Sequence, residues 1–326
     1  MMMTYSQATA LLEARKAAGM QMGLERMTAA MELLGRPQER LRVVHIAGTN
    51  GKGSTSAMIR SILTSAGYRV GGYESPAVTG LRDIITIGGE GIREERFAAL
   101  TQRLLALEPR FEELGRLTEF EFTTALAYLY FAEEKTDLCV VECGLGGRDD
   151  ATNVIGPPLA AVLTPVALDH TALLGDTIQE ITTVKCGICK PPCTVISSPG
   201  QTAEALGVIM ETAAARGLTV RIPPLRERRE DLTARIEAGV RECCEHYSRY
   251  HVLTKGAMKV LAEYPWPGNL FQVENFCERL ILTAGKRSLD EIAVRKMLEE
   301  LYPGESGWNA AAEAGRWRDE AEAGRR

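Results

Sequence analysis

Short apolar runs alternate with helical spacings along the first two thirds of the chain. Leu24, Met27, Met31 and Leu34 fall at intervals of 3, 4 and 3, which places them on one helix face. Helices are predicted over 6–18 and 24–35, the second stopped by Gly35 and Pro37. The β-branched run at 43–47 predicts a short buried strand, and 54–66 a helix closed by Gly67. Further strands are predicted over 69–73, 137–142, 159–164, 194–197 and 219–221, with helices over 94–107, 120–134, 178–185 and 202–215. Strands that alternate with helices predict an α/β fold: a mostly parallel sheet covered on both faces.

The texture changes near residue 220. "RIPPLRERREDL" is a Pro-Pro kink followed by a dense charge run, and from 232 to 302 only helical patterns recur, broken at "YPWPGN". The expected organisation is an α/β domain over 1–220, a small all-α unit over 221–302, and an Ala/Gly/charge-rich disordered tail over 303–326. The formal net charge of −5 argues against a nucleic-acid or membrane-surface partner. No apolar run reaches spanning length, and the N-terminus has no signal-peptide pattern, so a monomeric cytoplasmic protein with reduced cysteines is expected.

Candidate chemistry begins at "VVHIAGTNGKGSTSAM". A Gly-rich turn between strand and helix aims backbone N–H groups at phosphate oxygens. Asn50, Gly51, Lys52, Gly53 and Ser54 form the core of that turn. Its spacing departs from G-x-x-x-x-G-K-[ST]: Ile46 stands at the first Gly, and Gly53 separates Lys52 from Ser54. Glu142 ends an apolar strand, where P-loop proteins hold a metal or a water. Asp169 and His170 follow a third strand. "CGLGGRDDATN" is a polar Gly-rich loop that lacks the third Gly of a dinucleotide fingerprint. Cys186, Cys189 and Cys193 invite a zinc or redox reading, but no second pair or His adjoins them, which favours small buried thiols.

"GLERM", "VVHIAGTNGKGSTSAMIRSIL", "YESPAV", "LTEFEFTTALAYLYFA", "VECGLGGRDDATNVI" and "ALDHTALLGDT" together resemble the folylpolyglutamate synthase/dihydrofolate synthase family of the Mur-ligase superfamily, over residues 4–220. The resemblance implies a P-loop ligase that phosphorylates a carboxylate of dihydropteroate or a reduced folate with ATP. The amine of L-glutamate then attacks the acyl phosphate. It implies that residues 50–54 hold ATP, that Ser75, Glu142 and His170 ligate Mg²⁺, and that Lys52, Lys185 and His170 serve catalysis. Lys185 matches a lysine carbamylated in the family. The pterin side would use Gly23, Leu24, Glu25, Arg26, Thr118, Phe120, Asp149, Asp150 and Ala151. Val184 replaces a common Glu, and Cys186 and Cys189 occupy usually small or apolar positions.

No D-G-A-H-N-P motif, typical of the family's second domain, follows. Instead residues 221–302 resemble the helical lid of AAA+ activators that work with the alternative sigma factor, with Phe271 where these lids often carry a nucleotide-sensing Arg. Two readings follow: a folate ligase, or a nucleotide-binding interaction module without turnover. A working sigma-factor activator is the weakest, since only the lid is present.

Overall fold

The computed structural model describes residues 2–16, 19, 21, 23–76, 80–222, 229–266 and 269–302; the tail predicted over 303–326 and the side chain of Phe271 lie outside the described parts. The chain divides into two compact units, Met1–Ile222 and Pro223–Arg326.

In the first unit α1 (Tyr5–Lys16) and α2 (Glu25–Leu33) precede β1 (Val43–Ala47), α3 (Lys52–Ser65) and β2 (Val70–Tyr73). Then come β3 (Ile85–Ile87), β4 (Glu90–Gly91), α4 (Glu94–Leu105), α5 (Glu119–Glu133), β5 (Leu138–Glu142) and β6 (Ala160–Leu163). A short α6 (Thr171–Leu174), α7 (Ile178–Lys185), β7 (Thr194–Ser197), α8 (Ala203–Arg216) and β8 (Thr219–Arg221) complete it. The strands form one sheet in the order β4-β3-β2-β5-β1-β6-β7-β8. From β2 to β8 every pairing is parallel; β3 and β4 add an antiparallel edge. That edge was not predicted, because strands of three and two residues are too short to carry a period.

Strand alternation sorts the core onto two faces. Cys139 and Val141 of β5 join the large cluster with α1, α2, α4 and α5, whereas Val140 packs with Ile46, Val70, Val162 and, from α3, Ile59 and Leu63. Helix α5 buries Phe122, Leu126, Tyr128 and Phe131; each contributes about 1.5–3 kcal/mol on burial. Its start is fixed by a capping box, in which Thr118 Oγ1 accepts from the Glu121 N–H at 3.2 Å and Glu121 Oε2 accepts from the Thr118 N–H at 2.8 Å.

The second unit is helical. It comprises α9 (Arg229–His246), α10 (Lys255–Glu263), α11 (Asn269–Thr283) and α12 (Glu291–Leu301) around Trp266, Phe276, Ile236 and Ile281. The all-α expectation needs one correction: β9 (Val252–Leu253) and β10 (Ser288–Leu289) pair in parallel. Each is followed by a helix cap, Thr254 and Asp290, so the two-residue ribbon sets where α10 and α12 begin.

Candidate active site

β1 runs directly into the Gly-rich turn, and α3 begins at Lys52, two residues before the predicted start. Gly48 has φ +150°, and a Cβ there would lie 1.9 Å from Thr164 Oγ1, so the turn and the end of β6 approach as only glycine allows. The Thr49 and Asn50 N–H groups donate to the Pro165 carbonyl at 2.9 and 3.3 Å. These two amides therefore anchor the turn rather than face a ligand. The first intrahelical bond of α3 is Thr55 N–H to Gly51 O at 3.0 Å, which leaves the amides of 52–54 unused within the helix and suited to an anion. Lys52 Nζ donates to Thr49 O at 3.4 Å.

Two buried ionisable groups flank this turn. Glu142 is 4% exposed, and its Oε2 has no hydrogen-bond partner. That oxygen lies 3.6 Å from where a Cβ on Gly53 would sit. Burial pushes the Glu142 carboxyl up to about 7, against the opposing pull of Lys52. Lys185, at the end of α7, donates from Nζ to the Gly48 carbonyl at 2.9 Å. Burial, helped by the neighbouring Lys52 charge, brings its ammonium down to about 8.

Above the turn opens a cleft of about 560 Å³. Among the predicted residues it brings together Gly23, Lys52, Ser75, Thr118, Phe120, Asp149, Asp150, Ala151 and His170. His170 sits in a left-handed conformation (φ 48°) at the start of α6, its Nε2 3.7 Å from Asp169 Oδ2. Asp150 is buried and accepts from the Leu145 N–H at 2.8 Å, the Thr152 N–H at 3.0 Å and the Thr152 hydroxyl. It shapes the 144–152 loop rather than offering a free charge.

Other predicted residues lie off the cleft wall. Asn50, Gly51, Gly53 and Ser54 belong to the turn and first turn of α3, while Glu142 and Lys185 sit beside the turn. Leu24, Glu25 and Arg26 are not among its lining residues. The Arg26 guanidinium, itself partly buried, is tied to buried Glu121 at 2.9 Å, so it holds α2 to the start of α5. The thiols of Cys186 and Cys189 are buried in an apolar cluster with Ile188 and Val195. Among the described residues no three His, Cys, Asp or Glu side chains form a metal-holding group.

Sequence reasoning missed several participants. Tyr73 and Glu119 line the cleft; their adjacency to Ser75 and Thr118 was the available signal. Arg60 of α3 bonds Glu74 at 2.8 Å, and both charges act on Glu142. Buried His45 on β1 bonds Thr152 Oγ1 at 2.8 Å and contacts Cys143 Sγ at 3.2 Å, linking the turn's strand to the substrate-side loop.

Comparison with known proteins bears on the two units as follows. Residues 46–196 match the Mur ligase middle domain, and residues 226–313 the AAA+ ATPase lid domain. The dihydrofolate synthase/folylpolyglutamate synthase of Bacillus subtilis is 42% identical over 219 residues, 65% of this chain and 50% of the relative. The dihydrofolate synthetase of Saccharomyces cerevisiae is 32% identical over 280 residues, 78% of this chain and 65% of the relative. The apo structure of L. casei folylpolyglutamate synthase superposes with TM-score 0.64 at 34% identity, covering 68% of this chain and 54% of that one. The first unit is homologous to members of the dihydrofolate synthase/folylpolyglutamate synthase family, at 32–42% identity. The chain spans about half the length of the Bacillus and L. casei family members. Structures of related members hold ADP and the ATP analogue AMPPCP, and others hold folate or DHPP. No helix among the described residues is long and apolar enough to cross a membrane.

Proposed function

We propose that this chain binds ATP at the 48–54 turn and joins L-glutamate to dihydropteroate or a reduced folate through an acyl phosphate, as a cytoplasmic monomer. The observation that carries the reading is the meeting of Lys52, Ser75 and His170 in one cleft, with Glu142 beside the turn below them. In this reading the α3 amides and Lys52 neutralise the polyphosphate, which suits a reaction that rests on positioning and charge more than on covalent help. Phe120 and the 149–151 loop form the wall against which the pteridine lies.

A divalent cation fits the donors present: Glu142 Oε2 is a buried carboxylate oxygen without a partner, a costly arrangement unless a cation or donor meets it. Ser75, Glu142 and His170 would hold Mg²⁺, which when bound would offset charge on the transferring phosphoryl group. Lys185, with its ammonium near 8, has the neutral amine fraction that carbamylation requires, and its bond to Gly48 O would set that group against the turn.

The second reading is nucleotide binding at the same turn without turnover. ADP release measured with dihydropteroate or tetrahydrofolate, Mg²⁺ and glutamate separates the two. Glutamate-dependent turnover is expected for the ligase; nucleotide binding with no glutamate-dependent release overturns it in favour of the second reading.

A further inference from the structure

Three thiols between residues 186 and 193 play no part in the ligase reading. Cys186, Gly187 and Ile188 form a 3₁₀ turn, closed by the Cys189 N–H donating to the Cys186 carbonyl at 3.0 Å. A turn closed this way keeps its first and fourth Cα atoms within about 7 Å, close to the span a disulfide bridges. One guanidinium fixes both ends: Arg216 Nη1 donates to Cys186 O at 2.9 Å and to Cys189 O at 2.8 Å. Both thiols are buried in one apolar cluster with Ile188 and Val195. The mutual interaction of the two thiols draws Cys186 below the ordinary thiol range and, together with burial, pushes Cys189 up. The pair is thus divided into a nucleophile and a resolving thiol. Both are 1% exposed, which restricts the oxidant to a small molecule.

We propose that Cys186 and Cys189 are a modification site, a dithiol that a peroxide closes to a reversible disulfide and whose closure is transmitted to the substrate-side loop. The Cys186 thiolate attacks one peroxide oxygen; the O–O bond breaks, hydroxide leaves and is protonated to water, and Cys186 becomes a sulfenic acid. The Cys189 sulfur, releasing its proton, attacks that sulfur; the S–S bond forms, the S–O bond breaks, and a second water leaves. The thiols lose two electrons in total, and the peroxide gains them.

Transmission follows from packing. A Cβ on Gly187 would lie 2.3 Å from Arg148 Cα, so the turn sits directly on the loop. Asn153 Nδ2 bridges the two, donating to Arg148 O at 2.9 Å and to Gly187 O at 3.3 Å, and the Arg148 N–H donates to Val184 O at 2.9 Å. Drawing the sulfurs to bonding distance moves a turn that has no slack against residues 148–153.

The test treats the full chain with hydrogen peroxide, quenches, and titrates thiols after denaturation. The count is expected to fall from eight to six, with one peptide, lighter by two hydrogens, carrying both Cys186 and Cys189. Cys189→Ser is expected to leave a dimedone-reactive sulfenic acid at Cys186, and Cys186→Ser to leave Cys189 unreactive. Hydrogen exchange over 144–153 is expected to change on oxidation and return with dithiothreitol. A count that stays at eight, a disulfide through another cysteine, or reactivity retained in Cys186→Ser overturns the site. An exchange pattern indifferent to the disulfide overturns its coupling to the loop. None of these readouts depends on ligase turnover, so the ligase reading and this one fail separately.

Discussion

Glu142→Gln should make the ligand-free protein more stable at neutral and alkaline pH. The carboxyl is held near 7 by burial, against 4.5 in an unfolded chain. Each pH unit of such a difference is worth about 1.4 kcal/mol, so the ionised group costs the fold up to about 3 kcal/mol. Water entering from the cleft lowers this, and about 1–3 kcal/mol is expected. The sign follows from linkage: protonated Glu142 contributes stability that is fully present below 4.5 and is lost as pH rises through about 7. The neutral amide keeps it at every pH. Urea unfolding of both proteins in EDTA should therefore show nearly equal stability at pH 4.5 and a gap of about 1–3 kcal/mol in favour of Glu142→Gln at pH 8. A variant equally or less stable at pH 8, or a gap that does not depend on pH, refutes the claim that burial without a partner dominates at this carboxylate.

Lys52→Ala should weaken ATP binding at least about tenfold, since one charge-assisted contact to phosphate is worth about 1.5–3 kcal/mol; unchanged affinity by calorimetry would show that the turn is misread. Isotope-labelled carbon dioxide should give a carbamate NMR signal that rises between pH 7 and 8.5, as the Lys185 ammonium titrates near 8, and that is lost in Lys185→Ala; a signal kept in the variant counts against this lysine. Gly48→Ala should cost about 2–4 kcal/mol in urea unfolding, because the new Cβ meets Thr164 Oγ1 at 1.9 Å in a left-handed backbone; a loss under about 0.5 kcal/mol would mean β6 yields easily. Arg26→Ala should cost about 3–5 kcal/mol by leaving Glu121 buried without its cation, and an acid-dependent recovery of stability at low pH should accompany it.

What could be read in advance followed the physics that leaves a periodic trace. β1, β7, β8 and α7 begin and end where the apolar runs and caps predict, because each is bounded by glycine, proline or a polar cap. The ribbon of β9 and β10 and the β3–β4 edge were invisible, since two or three residues define no period and their pairing partners lie outside any local window. The pattern predicts α3 only from 54 because Gly53 is a weak helix former; the helix begins at Lys52 because Gly51, at φ +80°, turns the chain into it. For the cleft, the motifs supplied residues without distances. That Arg26 serves Glu121 and that Asp150 serves its own loop are facts of partnership, decided by neighbours about 95 residues away in one case and two in the other.

The two groups that burial perturbs most usefully here respond in opposite senses to one cause. Desolvation beside the 48–54 turn disfavours charge of either sign, raising Glu142 and lowering Lys185. Lys52 works against burial at the acid and with it at the amine, so its charge favours an ionised Glu142 and a neutral Lys185. The arrangement thus holds a nucleophilic amine and a carboxylate ready to ionise within reach of a single lysine, at a turn whose backbone is set by Gly48 and Pro165. Replacing Lys52 by Met should therefore move the two titrations together, Glu142 further up and Lys185 back toward the ordinary lysine range. If NMR titration moved only one of them, a shared field centred on Lys52 could not be the link between them.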